Sequence, residues 1–153
     1  MWRCVAVTVG GIANILHRET IAVLVGTKVF ERGEACFAAG RVLRVEAAPG
    51  ELRGSVRPES RGRPIYAVRI WLREDGLAYE CTCPMGVNQQ FCKHTVAIAL
   101  AHLEKEHLAA EREHSLLRRR VMAVDPMVFV DRLLDHARTD SNLASVLTRL
   151  TEK

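Results

Sequence analysis

The sequence predicts an α+β protein in which an N-terminal helix leads into an antiparallel four-stranded meander, followed by C-terminal helices. Three observations carry this. The apolar period is helical before Arg41, alternating from Arg41 to Cys83, and helical again after Cys92. Short turn sequences cut the alternating stretch at Pro49-Gly50, at Pro58 to Pro64 and at Glu74-Asp75-Gly76. Sequential strands with short connections pair as antiparallel neighbours. Length and composition agree: 153 residues, 48% apolar and 26% charged, suit one modest globular core and exclude a disordered chain.

The first 18 residues read as a leader or a short strand. Cys4 to Leu16 is apolar, but Gly10, Gly11 and Asn14 interrupt it and no small-x-small cleavage site follows, which argues against a secretion signal. Residues 19–40 read as one helix, with Ile21, Leu24, Val25 and Val29 on one face and Gly40 as its stop. Strands are expected over 41–47, 52–57, 65–73 and 77–83. After Cys92, Val96, Leu100, Leu103, His107, Ala110, His114 and Leu117 fall at three- and four-residue steps, the stripe of one long helix. His107 and His114 lie two turns apart, too far to chelate one ion, and are expected to pack at a helix–helix seam. Asp125-Pro126 starts another helix as cap and first-turn proline, with Met127, Val130, Leu134 and Ala137 as its apolar face. A last helix carries Leu143, Val146, Leu147 and Leu150. The domain reading is 1–18, then 19–107, then a C-terminal helical segment, 108–153. No apolar run approaches the ~20 residues of a membrane-spanning helix, so a cytoplasmic protein without membrane contact is expected.

Five cysteines are an odd number, and Cys81, Cys83 and Cys92 fall within twelve positions of one another. Clustered cysteines beside a histidine point to a metal rather than to disulfides. The stretch Cys81-Thr-Cys83, eight residues, then Cys92-Lys-His94 has the chemistry for it. On an extended strand residues two apart face the same side, so Cys81 and Cys83 can aim at one ion. Residues two apart in a helix do not, so Cys92 must sit at or before the first turn, with His94 in the helix. Three thiolates and an imidazole select zinc, and four protein donors close a tetrahedral site to water and substrate, which makes it structural. No Cys-x-x-Cys redox pair, Walker loop or Gly-x-Ser-x-Gly is present, and no enzyme or small-molecule substrate is expected. Cys4 and Cys36 lie apart from the cluster and read as free structural thiols.

This pattern resembles the SWIM-type zinc finger, Cys-x-Cys-x(n)-Cys-x-His, in a small stand-alone form. Phe30-Glu31-Arg32-Gly33 followed by Ala39-Gly40-Arg41-Val42 resembles the helix-to-strand lead-in of bacterial SWIM-domain proteins. Cys83-Pro84 and Cys92-Lys93-His94 resemble the usual ligand flanks. Ala137-Arg138-Thr139-Asp140 and the leucine-rich helix after it resemble the tail, so the likeness spans about residues 20–150. One departure is Glu80, where a small polar residue is expected. The resemblance implies a zinc-stabilised unit that binds DNA or protein and accompanies remodelling ATPases, transposases, kinases and recombination-associated proteins.

Between those partners, charge favours nucleic acid. The formal net charge is +4, and 18 of the 22 basic residues are arginine, whose planar fork suits phosphate, although GC-rich codon usage gives the same excess and composition alone decides little. Residues 41–73 hold eight arginines against three acids, a local balance of +5. Alternation places Arg53, Ser55 and Arg57 on one face of the second strand, and Arg69, Trp71 and Arg73 on one face of the third, with Arg44 joining from the first. A basic sheet face with an aromatic is what phosphate tracking and base stacking require. The Arg118-Arg119-Arg120 run reads as a solvated helix end. The alternative is a protein–protein interaction module, such as an accessory subunit of a remodelling or helicase-like ATPase.

Overall fold

A computed structural model describes Ile12 and residues 16–74, 76–88 and 90–152. The expected leader and Cys4 therefore lie largely outside the described residues. The elements are α1 (Arg18–Val25), α2 (Thr27–Ala38), β1 (Val42–Ala48), β2 (Glu51–Val56), β3 (Tyr66–Arg73), β4 (Gly76–Cys81), α3 (Pro84–Val87), α4 (Lys93–Met122), α5 (Pro126–Ala137) and α6 (Ser141–Thr151). The fold is α+β, as expected, and the four strands form one antiparallel meander in the order β1-β2-β3-β4.

Where one helix was expected over 19–40, there are two. Gly26 has φ 76°, which breaks the helical ladder between α1 and α2. The break changes what faces inward: Ile21 is buried and Val25 and Val29 are partly so, but Leu24 is exposed.

The sheet's inner face is made by the residues that alternation assigns to it. Leu52, Val56, Tyr66, Val68 and Ile70 are buried, each aliphatic side chain contributing about 1.5–3 kcal/mol. The start of α4 lies on this face, and its run 96–100 is apolar all round and buried. Two glycines let the helix approach so closely. A Cβ at Gly54 of β2 would lie 2.3 Å from Ile98 Cδ1, and one at Gly33 of α2 would lie 2.3 Å from Val96 Cγ1. The start of α4 is thus held between the sheet and α2.

The chain forms two compact units, one ending at Leu108 and the other beginning at Ala109. The second holds the end of α4 with α5 and α6. Asp125 caps α5, its carboxylate accepting from the Met127 and Val128 N–H groups, and Asp140 caps α6 in the same way. The expected apolar face of α5 is not buried: Met127, Val130 and Leu134 are exposed, and Ala137 is half-buried. His107 and His114 are exposed as well, so they do not sit in the helix seam expected of them. Among the described residues no helix is long and apolar enough to cross a membrane.

Candidate metal centre

The four residues singled out by spacing come together. One donor atom from each of Cys81, Cys83, Cys92 and His94 lies within 4.8 Å of the others, and all four residues are buried. Cys81 is the last residue of β4. Its strand ends there, two residues short of the expected 83, yet Cys83 keeps an extended backbone (φ −74°, ψ 160°) and its sulfur still turns to the same side. The strand end is pinned to β3, because the Thr82 N–H donates to the Ala67 carbonyl and the Ala67 N–H to Thr82 Oγ1.

The connection between the cysteine pairs is not plain loop. Pro84 opens a single helical turn, α3, capped by Cys83, whose sulfur accepts from the Gly86 N–H at 3.2 Å. Cys92 lies just before α4, its carbonyl accepting from the Val96 N–H, and His94 lies within the helix, as the side-chain directions require.

His94 presents Nδ1 to the sulfurs, 3.7 Å from Cys92 Sγ and 3.9 Å from Cys81 Sγ. Zinc bonds near 2.3 Å to sulfur and 2.0–2.1 Å to nitrogen, set at the tetrahedral angle, imply a sulfur–nitrogen edge of about 3.6 Å. The observed edges fit that figure, and the soft donor set fits zinc. The neighbouring Cys81 pushes the Cys92 thiol down, and Cys92 together with burial pushes the Cys81 thiol up. His94 and Thr95 also hydrogen-bond the Cys92 sulfur and favour its thiolate.

Aromatic rings wall the centre. Tyr66 packs on the His94 ring with centroids 4.7 Å apart, and Tyr79 meets Phe91 edge-on at 4.6 Å. Sequence reasoning did not single out these rings, Thr82 or Thr95, and took Gly86 only as part of a turning loop; only the positions of Tyr66 and Tyr79 on strands flanking the ligands pointed to the rings. Cys36 is buried, unbridged and separate from the cluster, its thiol pushed up mainly by burial. A second buried histidine, His102, has neither ring nitrogen hydrogen-bonded, and burial pushes its pKa down.

The outer face of the sheet carries the predicted arginines together with partners for them. Register places Glu46, Arg53, Arg69 and Glu80 in one cross-strand row. Arg44 donates from Nε to Glu46 at 2.8 Å, Arg53 donates to Glu51 at 2.6 Å, and Arg69 also hydrogen-bonds Glu51. The bonds from Arg53 and then Arg69 hold the Glu51 carboxyl down to about 2. The Arg69 guanidinium stacks on half-buried Trp71, 4.6 Å from the ring centroid. Arg73 ends β3 opposite Gly76, and Arg57 lies just beyond β2.

A buried, fully protein-ligated Cys3His set at a strand–turn–helix junction defines a zinc-stapled binding module. Residues 66–103 match the family model of the SWIM zinc finger, and this segment, from β3 into the buried part of α4, is such a finger. The match does not extend over 20–65 and 104–150, where the sequence likeness was also expected. Comparison with curated proteins and with solved structures gave no match.

Proposed function

We propose that the protein binds DNA, with structural zinc held by Cys81, Cys83, Cys92 and His94, and that it is not an enzyme. The observation that carries this reading is the +5 balance of residues 41–73, concentrated on the sheet and loops beside the finger. Four protein donors leave the metal no open position, so zinc shapes the surface and takes no part in chemistry. The contacts read from strand alternation are Arg44, Arg53, Arg57, Arg69, Trp71 and Arg73. Among these, Arg44, Arg53 and Arg69 must exchange a glutamate for phosphate on binding. Exposed ion pairs contribute only about 0–1 kcal/mol, so that exchange is permitted but yields little. The proposed location is the cytoplasm.

The exposed apolar side chains of α5 and α6, including Met127, Leu134 and Leu150, favour a second reading. In it the protein is an interaction module for a remodelling or helicase-like ATPase on another chain. Filter binding of the zinc-loaded protein to a duplex oligonucleotide separates the two. DNA binding gives measurable affinity at ~50 mM salt that falls as salt rises. No affinity at that salt refutes the DNA reading.

A further inference from the structure

The sheet face is electrically close to self-satisfied, and the loop beside it is not. Between β2 and β3 the chain runs Arg57-Pro58-Glu59-Ser60-Arg61-Gly62-Arg63-Pro64. Its single acid, Glu59, is taken by Lys93 at 2.5 Å. Among the described residues Arg57, Arg61 and Arg63 have no hydrogen-bond or ion-pair partner for their guanidinium groups, in contrast to Arg44, Arg53 and Arg69. Three cations fall within seven positions, and the one acid among them is paired with Lys93.

The loop is also held in place. The Arg41 guanidinium donates to the Pro58 carbonyl at 3.1 Å, and the Arg57 N–H donates to the Arg41 carbonyl at 2.8 Å. Two prolines fix φ at either end, and Gly62 supplies a left-handed residue (φ 80°) between Arg61 and Arg63. The Glu59–Lys93 pair ties the loop to the start of α4. Where they meet, a recess of about 150 Å³ is lined by Glu59, Ser60, Arg63, Tyr66, Lys93 and His94, the Glu59 carboxylate being paired with Lys93. A fixed loop loses little conformational freedom when a ligand binds, which leaves more of the electrostatic gain as affinity.

We propose that Arg57, Arg61 and Arg63 form a phosphodiester-binding site at the zinc end of the sheet, and that this loop, rather than the outer sheet face, grips the nucleic-acid backbone. Arg63 sits at the recess and Arg57 and Arg61 flank it along the loop. The metal's role is then geometric: it fixes the start of α4, and through Lys93 and Glu59 the loop, relative to the sheet. This inference rests on the DNA-binding reading and, of the contacts named there, keeps only Arg57, moving the rest from the sheet face to the loop.

The test is fluorescence anisotropy with a labelled duplex of about 20 base pairs, using full-length zinc-loaded protein from 50 to 200 mM salt. Three phosphate contacts give a log–log slope near −2.7. Arg61→Gln and Arg63→Gln should each flatten the slope by about 0.9 and weaken binding about 15-fold at 50 mM salt and about 5-fold at 150 mM. Arg53→Gln and Arg69→Gln should keep the parental slope. Zinc content, measured on each variant, should stay at that of the parent, since none of these side chains hydrogen-bonds a ligand. If the parent binds but Arg61→Gln and Arg63→Gln keep its slope while the sheet variants flatten it, the loop site is wrong and DNA binding stands. If the parent does not bind at 50 mM salt, both fall.

Discussion

Gly86→Ala tests the metal centre without removing a ligand. A Cβ at position 86 would lie 2.3 Å from the Cys81 carbonyl oxygen, 2.5 Å from Cys81 Cβ and 2.8 Å from its carbonyl carbon. Ordinary contact begins near 3.5 Å, so the backbone of α3 or of the ligand strand must move by about 1 Å. Neither can rotate away, because the opposing atoms are main chain or attached directly to it. The same shift lengthens the 3.2 Å bond from the Gly86 N–H to the Cys83 sulfur. Overpacking of this kind costs about 1–3 kcal/mol, and loss of support to a metal ligand costs about 10–100-fold in affinity. Competition for zinc against a chromophoric chelator at pH 7 should therefore show a dissociation constant raised about 10–100-fold. Gly50→Ala is the control. Gly50 has open space around it and, unlike Gly86, a positive φ of 74°, so substitution there strains a turn far from the metal without crowding a ligand. Parental zinc affinity in Gly86→Ala would refute the placement of α3 against the ligand strand.

Two further predictions follow from the same centre and from the sheet. Cys92→Ser should lose zinc and melt well below Cys36→Ser, because metal binding in zinc-finger peptides supplies on the order of 10 kcal/mol of folding energy; equal melting and metal content in both variants would remove Cys92 from the ligand set. Glu51, held down to about 2 by Arg53 and Arg69, contributes stability that is complete above its unfolded value near 4.5 and is lost as pH falls from there toward 2. In acid titrations followed by circular dichroism, Glu51→Gln should lack that part of the parent's decline between pH 4.5 and 2, and identical curves would count against the Arg53–Glu51–Arg69 network.

The ligand set was legible because every constraint on it is local. Two pairs at x-spacing, one on a strand and one at a helix start, reach their geometry through side-chain direction alone. The meander was legible for a similar reason, since its strands pair with chain neighbours and their inward faces alternate cleanly. Gly26 escaped notice because one glycine inside a helical period costs only about 1 kcal/mol, too little to break the pattern on paper, although its positive φ breaks the helix in fact. The turn that Cys83 caps and Pro84 opens escaped notice because a single helical turn leaves no period to detect. The balance of the sheet face was half legible. Glu51 shares parity with Arg53 on one strand, so its place beside that arginine could be read; the row joining Glu46, Arg53, Arg69 and Glu80 depends on register between strands, which sequence does not carry. The exposed face of α5 shows the opposite limit, since periodicity identifies an apolar stripe but not whether anything covers it.

The meander and its metal have a consequence for how the chain is made. Every strand neighbours the one synthesised just before it, and all four ligands fall between 81 and 94. At roughly 5–20 residues per second, the ~50 residues beyond Leu103 take about 3–10 s to emerge. Strand pairing within such a hairpin series takes far less, with single hairpins closing in about 1–10 μs. The finger can therefore assemble its ligand set while the ribosome is still at work on α5 and α6, so metal can be captured during translation as well as after release.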